Sequence, residues 1–250
     1  MDQSTILIAA AGLLAGLMNA LAGGGSFVTL PVLIGAGIPS VAANATSTVA
    51  LWPGGFASAM VYRGQQRPIA GMSVRLMLAI TVIGGAAGAV MLLSTPVRLF
   101  DKLLPWLALL ATLALAFAPS IGPWLQARIG MRRAPLIACQ FLIGVYGGYY
   151  GGAVGLMMLA LWSLIDGADI KALAGTRTAM VSAANSVAIL CFAVAGAVQW
   201  GAAAALAAGA LAGGYFGSTV GKRLSPGLVR GATLTLCVVI TAAFLSRAYL

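Results

Sequence analysis

Residues 13–26, LLAGLMNALAGGGS, recur in similar form 128 residues later as residues 141–154, FLIGVYGGYYGGAV. Both stretches are apolar, and a cluster of glycines interrupts each of them. A pattern that occurs twice at a fixed offset is typical of an internal duplication. The pair therefore predicts a chain built from two related halves.

Composition places these halves in a membrane. Hydrophobic residues make up 61% of the chain and charged residues 7%, a composition that does not fit a water-soluble globule. The net charge of +10 comes from Lys and Arg in short loops between apolar stretches, where positive charge marks the cytoplasmic side. We therefore expect the lipid bilayer, and no nucleic acid, as a partner.

Hydropathy divides the chain into four apolar blocks followed by four similar ones. The eight blocks are residues 5–37, 40–62, 70–94, 103–125, 134–165, 170–198, 200–221 and 228–250. This order predicts a first transmembrane repeat at 1–125, a second at 134–250 and a basic cytoplasmic linker at 126–133.

The first and fifth blocks are too long for one straight crossing, because about 20 apolar residues span the hydrocarbon core. Glycine permits a sharp bend, so we expect breaks at 22–26 and 147–152. Each long block would then enter and leave the membrane on one side. The predicted fold is an all-α integral membrane protein with two inverted repeats, each a broken (re-entrant) helical hairpin followed by three transmembrane helices.

Loop charge supports the inverted arrangement. If both long blocks are re-entrant, one side of the membrane receives eleven of the fourteen Lys and Arg residues and the other side three. If both blocks cross fully, the division is seven and seven. The positive-inside rule favours the first arrangement, which places both termini outside.

Inverted repeats with broken helices hold substrate near the middle of the bilayer, where helix N-termini direct free N–H groups at an anion. The candidate donors are Gly23, Gly24, Gly25 and Ser26 in the first half and Gly151, Gly152 and Ala153 in the second. The alternative is that glycine only permits close helix packing. That interpretation is preferred for Gly84, Gly88 and the series Gly209, Gly213, Gly217 and Gly221.

Polar side chains at helical spacing follow each predicted hairpin. They are Asn44, Ser47 and Thr48 in the first half and Thr178, Ser182, Asn185 and Ser186 in the second. Such groups in lipid must face protein or a watery cavity, so they either bind substrate or join helices by hydrogen bonds. Arg177, beside Thr176, is either a cytoplasmic anchor or a gate that attracts anions.

Other function classes find little support. The chain has no histidine and four acidic residues, all near predicted loops, so a buried proton relay has no obvious candidate. Three scattered cysteines do not form a metal-binding pattern. We therefore expect no enzyme, no metal and no cofactor.

The chain resembles the TauE/SafE family of sulfite and sulfonate exporters. The similarity lies in GLMNALAGGGSFVTLPVL from Gly16, ANATST at 43–48, GGYYGGAVGLMM from Gly147 and ALAGTRTAMVSAANS from Ala172. This resemblance implies transport of sulfite, sulfonates or related sulfur-containing or organic anions across the bacterial cytoplasmic (inner) membrane. An ion-coupled importer, a channel-like anion pore and a non-transporting scaffold remain alternatives, and small-residue helix faces would permit a homodimer.

The predicted topology can be tested with a reporter that is active only in the cytoplasm. Fused after Leu250, it should be inactive, because the charge distribution places the C-terminus outside. Inserted into the linker 126–133, the same reporter should be active. Activity at residue 250 would contradict the inverted arrangement.

Overall fold

The structure is a computed structural model that describes residues 3–21, 24–126, 133–166, 170–221 and 225–249. All ten elements in these ranges are α-helices, as the sequence predicts. They are α1 (Gln3–Leu21), α2 (Ser26–Gly35), α3 (Ser40–Val61), α4 (Val74–Ser94), α5 (Val97–Gln126), α6 (Arg133–Tyr149), α7 (Val154–Asp166), α8 (Ile170–Val194), α9 (Trp200–Gly221) and α10 (Pro226–Tyr249). Most of the predicted linker, 127–132, lies outside the described residues.

Several helices have the length and composition of membrane spans. Within the described ranges, five qualify: Gln3–Leu21, Val74–Ser94, Val97–Phe117, Ala172–Val194 and Gly227–Tyr249. Large apolar side chains also lie on the outside of the molecule, and Val194 is 90% exposed. Such a surface is stable against hydrocarbon and not against water.

The helices α3 and α9, also predicted as spans, are not among these five. Helix α3 carries Asn44, Thr46 and Ser47 on a buried face, which lowers its hydropathy. Helix α9 consists mainly of alanine and glycine. Both helices lie against other helices of the chain, so their composition suits contact with protein more than contact with lipid.

Helix breaks occur at both glycine clusters. Helix α1 ends at Leu21 and α2 begins at Ser26, which agrees with the predicted break at 22–26. Helix α6 continues to Tyr149 and α7 begins at Val154. Gly147 and Gly148, predicted to lie in the second break, are therefore helical. Gly148 serves close packing there, because a Cβ on it would collide with the carbonyl oxygen of Gly85 on α4.

The two arms of each predicted hairpin differ in length. Helix α1 has 19 residues and α2 has 10, which correspond to about 28 Å and about 15 Å at 1.5 Å per residue. In the second half α6 has 17 residues and α7 has 13. The arms are not two equal half-helices, because the first arm alone approaches the thickness of a hydrocarbon core.

Glycines bring α1 against α9 and α4 against α6 at backbone distance. A Cβ on Gly16 would collide with Ala210, and one on Gly213 would collide with Leu13. The second crossing has the same character, since a Cβ on Gly88 would meet the carbonyl of Val145. The packing interpretation of Gly84, Gly88, Gly209, Gly213 and Gly217 is thus confirmed. These small-residue faces are used for packing inside the chain.

Most contacts between helices occur in pairs. If each helix of α1–α5 is replaced by its counterpart in α6–α10, and the reverse, one contact of a pair becomes the other. Helix α1 lies on α9 as α6 lies on α4, and α3 contacts α9 as α8 contacts α4. Likewise α5 contacts α7 and α10 contacts α2. The same exchange leaves two contacts unchanged, namely that of α3 with α8 and that of α5 with α10. Helices α3 and α8 contact each other and helices of both halves, so they join the two halves.

A buried polar network joins the second hairpin to α4. The amide nitrogen of Gln140 donates to Thr81 Oγ1 at 2.8 Å, and the indole nitrogen of Trp162 donates to Gln140 Oε1 at 2.9 Å. All three side chains are fully buried. At an offset of 128, Gly12 and Ile34 occupy the matching positions of the first half, so the first hairpin has no equivalent of Gln140 and Trp162.

The close crossing of α1 and α9 predicts a sharp difference between two glycines of α9. Gly213→Ala should lower the free energy of unfolding by about 1–3 kcal/mol, because its methyl group would press on the backbone of Leu13. Gly201→Ala is the control, since nothing lies within 4 Å of a Cβ there. Thermal unfolding in detergent measures both. Equal stability of the two variants would contradict the described crossing.

Candidate functional site

The two helix breaks meet in the interior of the protein. Phe27, in the first turn of α2, lies edge-on to Tyr150 in the second break, with ring centroids 6.4 Å apart. Both side chains are fully buried. The structure thus brings together the two regions that the sequence singles out.

In the first break, Gly25 has a defined structural role. Its N–H donates to Asn19 Oδ1 at 2.9 Å, and a Cβ would lie 2.7 Å from the carbonyl oxygen of Ala15. The N–H of Gly25 is therefore occupied within its own hairpin, contrary to its prediction as a free donor. Gly24 is buried beside Met18 and Thr233, and Ser26 begins α2. Gly23 lies outside the described residues.

The second break has an unusual backbone. Gly151 and Ala153 have positive φ angles of 77° and 57°, a conformation that alanine rarely adopts. The N–H of Gly151 donates to the carbonyl of Tyr146 at 3.2 Å and so closes α6. At Gly152 a Cβ would collide with the ring of Tyr150. Gly151 therefore shapes the break, and Gly152 leaves room for an aromatic ring.

Polar residues of α3 mainly join elements. The amide nitrogen of Asn44 donates to the carbonyl of Tyr149 at 3.0 Å, at the C-terminus of α6. Ser47 shares a hydrogen bond with Thr29 of α2. For both residues the structure shows the interhelical bonds that were the alternative to substrate contact. Thr48 donates to the carbonyl of Asn44 at 2.9 Å, and its hydroxyl oxygen lies 4.0 Å from a Cβ built on Gly151.

Two polar residues of α8 have local partners. The hydroxyl of Thr176 accepts from the N–H of Arg67 at 2.9 Å and donates to its carbonyl at 3.0 Å. It thereby attaches the loop before α4 to α8. Thr178 donates to the carbonyls of Ala174 and Gly175 at 3.0 and 3.1 Å. These bonds account for both hydroxyls without a ligand.

Ser186 and Asn185 of α8 differ from each other. Ser186 accepts from the indole nitrogen of Trp52 at 2.9 Å and donates to the carbonyl of Ser182 at 2.7 Å. The Oδ1 atom of Asn185 is buried without a hydrogen-bond partner among the described residues. A buried polar atom without a partner is costly, so Asn185 is the polar residue of this stripe that remains available to a ligand.

Arg177 lies beside the first turn of α7. Atoms Cδ and Cγ of its side chain are 3.3 and 3.5 Å from a Cβ built on Gly155. The side chain is half-buried, and no hydrogen bond or ion pair joins its guanidinium to any residue that the structure describes. Helix N-termini carry partial positive charge and favour anions over cations. The arrangement therefore places two positive features together, which an anion between them would stabilise.

Tyr150 is a functional candidate that the sequence analysis did not single out. Its side chain is 1% exposed, and its hydroxyl has no hydrogen-bond partner in the described part of the chain. A tyrosine with a polar tip inside a glycine break is a signal that could have identified it. The sequence analysis treated it as part of the break alone.

An open groove of about 430 Å³ lies elsewhere, between α4 and α6. Its lining is apolar and consists of Ile80, Ile83, Ile137, Ala138 and Phe141. Ile83 is 62% exposed, so the groove belongs to the outer surface. It offers hydrocarbon contact and nothing that would hold an anion.

Comparison with known proteins identifies similar chains. A family model described as "Sulfite exporter TauE/SafE" matches residues 8–244. A "Probable membrane transporter protein" of Haemophilus influenzae is 27% identical over 92% of this chain and 90% of its own. "Probable membrane transporter protein YfcA" of Escherichia coli K12 is 24% identical, with 93% and 86% covered. "Probable membrane transporter protein ORF9" of a Sinorhizobium species is 26% identical, with 95% and 89% covered. No solved structure matches the chain significantly.

The two asparagines near the breaks should differ in their effect on stability. Asn44→Ala leaves the carbonyl of Tyr149 without its donor and should cost about 1–3 kcal/mol of unfolding free energy. Asn185→Ala removes an unpartnered atom and should leave stability unchanged or slightly higher. Thermal unfolding of the purified variants measures this difference. A larger loss for Asn185→Ala than for Asn44→Ala would refute the bonding pattern.

Proposed function

Because the chain belongs to the TauE/SafE family of membrane transporters, we propose that it carries small anions across the bacterial inner membrane. The proposed substrates are sulfite, sulfonates or related sulfur-containing or organic anions, and the proposed direction is export. The family and the three transporter relatives support transport across a membrane by a multi-pass protein. Substrate class and direction form the part that we propose.

The position of Arg177 is the observation that carries the proposal of an anionic substrate. The Cγ and Cδ atoms of its side chain lie beside Gly155 in the first turn of α7. The N–H groups of Val154 and Gly155 open this turn without an intrahelical acceptor, whereas that of Leu156 donates to the carbonyl of Ala153. An anion there would bind both the guanidinium and these N–H groups, as anions do at helix N-termini. An arginine that served only as a cytoplasmic anchor would not need to pack beside the N-terminus of another helix, α7.

The remaining predicted site residues divide into two groups by their contacts. Gly24, Ser26, Thr48, Gly152 and Asn185 line the breaks or carry a polar atom next to them, and we propose that they border the substrate. Others are engaged in hydrogen bonds inside the protein, at the breaks or elsewhere. This second group consists of Gly25, Asn44, Ser47, Gly151, Thr176 and Thr178.

We further propose that the halves are inverted repeats. During transport each half would adopt in turn the conformation that the other half had before. The paired helix contacts support this, because the exchange of α1–α5 with α6–α10 preserves most of them. In such a transporter the site stays near the membrane midplane while the halves move around it. The contact of Phe27 with Tyr150 brings the two breaks together, which supports a site between the two halves.

The membrane potential alone could drive export. With a negative cell interior, moving one negative charge outward is favourable by about 2.3 kcal/mol per 100 mV. The chain has four acidic residues and no histidine, which leaves few groups that could pass protons through the membrane. We therefore propose uniport of the anion.

Flux from proteoliposomes under an imposed potential tests the proposal. Wild-type protein should release sulfite or methanesulfonate with saturation and with potential dependence. Arg177→Gln should lower kcat/KM roughly 10-fold or more, since hydrogen bonds to charged groups contribute about 1.5–3 kcal/mol. Arg98→Gln, at an exposed arginine, is the matched control and should transport normally.

Each outcome has a distinct meaning. Flux that does not saturate would favour a channel-like pore, and flux that requires a sodium gradient would favour an ion-coupled importer. Equal flux of Arg177→Gln and wild type would remove Arg177 from the site. Absence of anion flux in wild type would refute anion transport and favour a scaffold.

A further inference from the structure

We propose that the hydroxyl of Tyr150 is a hydrogen-bond donor for the transported anion and selects a small oxyanion at the start of α7. This inference rests on the proposed function, because it assigns a binding group within the same site. The site residues predicted from the sequence do not include this hydroxyl.

Burial of Tyr150 without a partner is the first step of the argument. The side chain is 1% exposed and its Oη atom makes no hydrogen bond within the described structure. Buried hydroxyls almost always have a partner, because losing water without replacement is unfavourable. A phenylalanine would fill the same space without this cost. The hydroxyl is therefore best explained by a partner that binds from outside the chain.

The ring of Tyr150 is fixed in a way that sets the direction of its hydroxyl. It packs edge-on against Phe27 at 6.4 Å and against Tyr146 at 5.7 Å between centroids. The ring carbon that bears the hydroxyl, Cζ, lies 3.0 Å from a Cβ built on Gly152. The phenol end of the ring thus lies over the residue two positions before α7. A side chain at position 152 would displace it.

This position places the ring of Tyr150 against Gly152, two residues before the helix that Arg177 borders. The phenol end of Tyr150 packs against Gly152, and the aliphatic part of the Arg177 side chain packs against Gly155. Gly152 and Gly155 are three residues apart, about one helical turn. Side chains from two different elements therefore pack against residues 152 and 155, at the start of α7. One brings a buried hydroxyl without a partner, and the other brings a positive charge.

The chemistry of these groups indicates the class of ligand. The guanidinium and the N–H groups of the first turn can only donate hydrogen bonds. Among such donors and positive charges the phenolic hydroxyl also donates. A negatively charged ligand with several acceptor oxygens satisfies all of them, as sulfite and sulfonates do. A cation would meet repulsion, and a halide would offer one atom to donors that lie on different sides.

Tyr146 provides a matched control four residues earlier. Its hydroxyl donates to the carbonyl of Leu107 at 3.1 Å, so it has the internal partner that Tyr150 lacks. The two tyrosines pack on each other, and both are buried. Removing the Tyr146 hydroxyl therefore tests a hydrogen bond inside the protein, and removing the Tyr150 hydroxyl tests the proposed hydrogen bond to the ligand.

The experiment compares Tyr150→Phe and Tyr146→Phe in the full-length protein. Thermal unfolding without ligand and titration calorimetry with sodium sulfite and sodium methanesulfonate, both in detergent, are the measurements. Tyr150→Phe should unfold at or above the wild-type temperature, because it removes an unpartnered group. Its dissociation constant for the anion should rise roughly 10- to 100-fold, as expected for a lost hydrogen bond to a charged ligand. Tyr146→Phe should unfold earlier and bind with wild-type affinity.

Two results would overturn the assignment. If Tyr150→Phe binds both anions as tightly as wild type, the hydroxyl is not a ligand, although Arg177 and the proposed transport could still stand. If Tyr150→Phe unfolds well below wild type, the hydroxyl has an internal structural role. Failure of wild type itself to bind or release either anion would instead refute the proposed function, and this inference with it.

Discussion

A helix that ends inside a hydrocarbon layer leaves carbonyl and N–H groups that water cannot reach, and this constraint governs the centre of the molecule. The protein satisfies these groups with side chains from other elements. Asn44 of α3 donates to the last carbonyl of α6, and Asn19 of α1 accepts from the N–H of Gly25 before α2. The breaks are thus tied to the bundle by amide side chains. Their geometry depends on these contacts more than on the glycines alone.

Charge is sparse near the second break, and its sign is uniform. Within the described residues, Arg177 is joined to no carboxylate, and the backbone at the start of α7 adds positive potential of its own. In a medium of low polarity such a region strongly attracts negative charge. The polar stripes that surround it are mostly engaged in hydrogen bonds inside the protein. In the anion site that we propose, selectivity would therefore depend on a few groups, namely the arginine, the helix end and the buried atoms that lack partners.

Much of the fold follows from glycine and hydropathy patterns. The eight apolar blocks and two glycine clusters predict ten helices with breaks at Ser26 and near Tyr150, because both signals are local in sequence. The packing role of Gly148 could not be predicted, since it depends on the approach of α4, which is about 60 residues away in sequence. The engagement of Asn44 and Thr176 was also hidden, because hydrogen-bond partners depend on tertiary contacts. The same applies to Tyr150, whose buried hydroxyl has no hydrogen-bond partner among the described residues.

The network of Gln140, Thr81 and Trp162 has a mechanical consequence. It fastens α6 and α7 to α4 with directed bonds that must break together before the second hairpin can shift. The first hairpin meets α9 through glycine backbones, and the positions that match Gln140 and Trp162 are Gly12 and Ile34, whose side chains form no such bonds. A shift of the second hairpin against α4 therefore has to break hydrogen bonds of this network, whereas the first hairpin has no equivalent network to break.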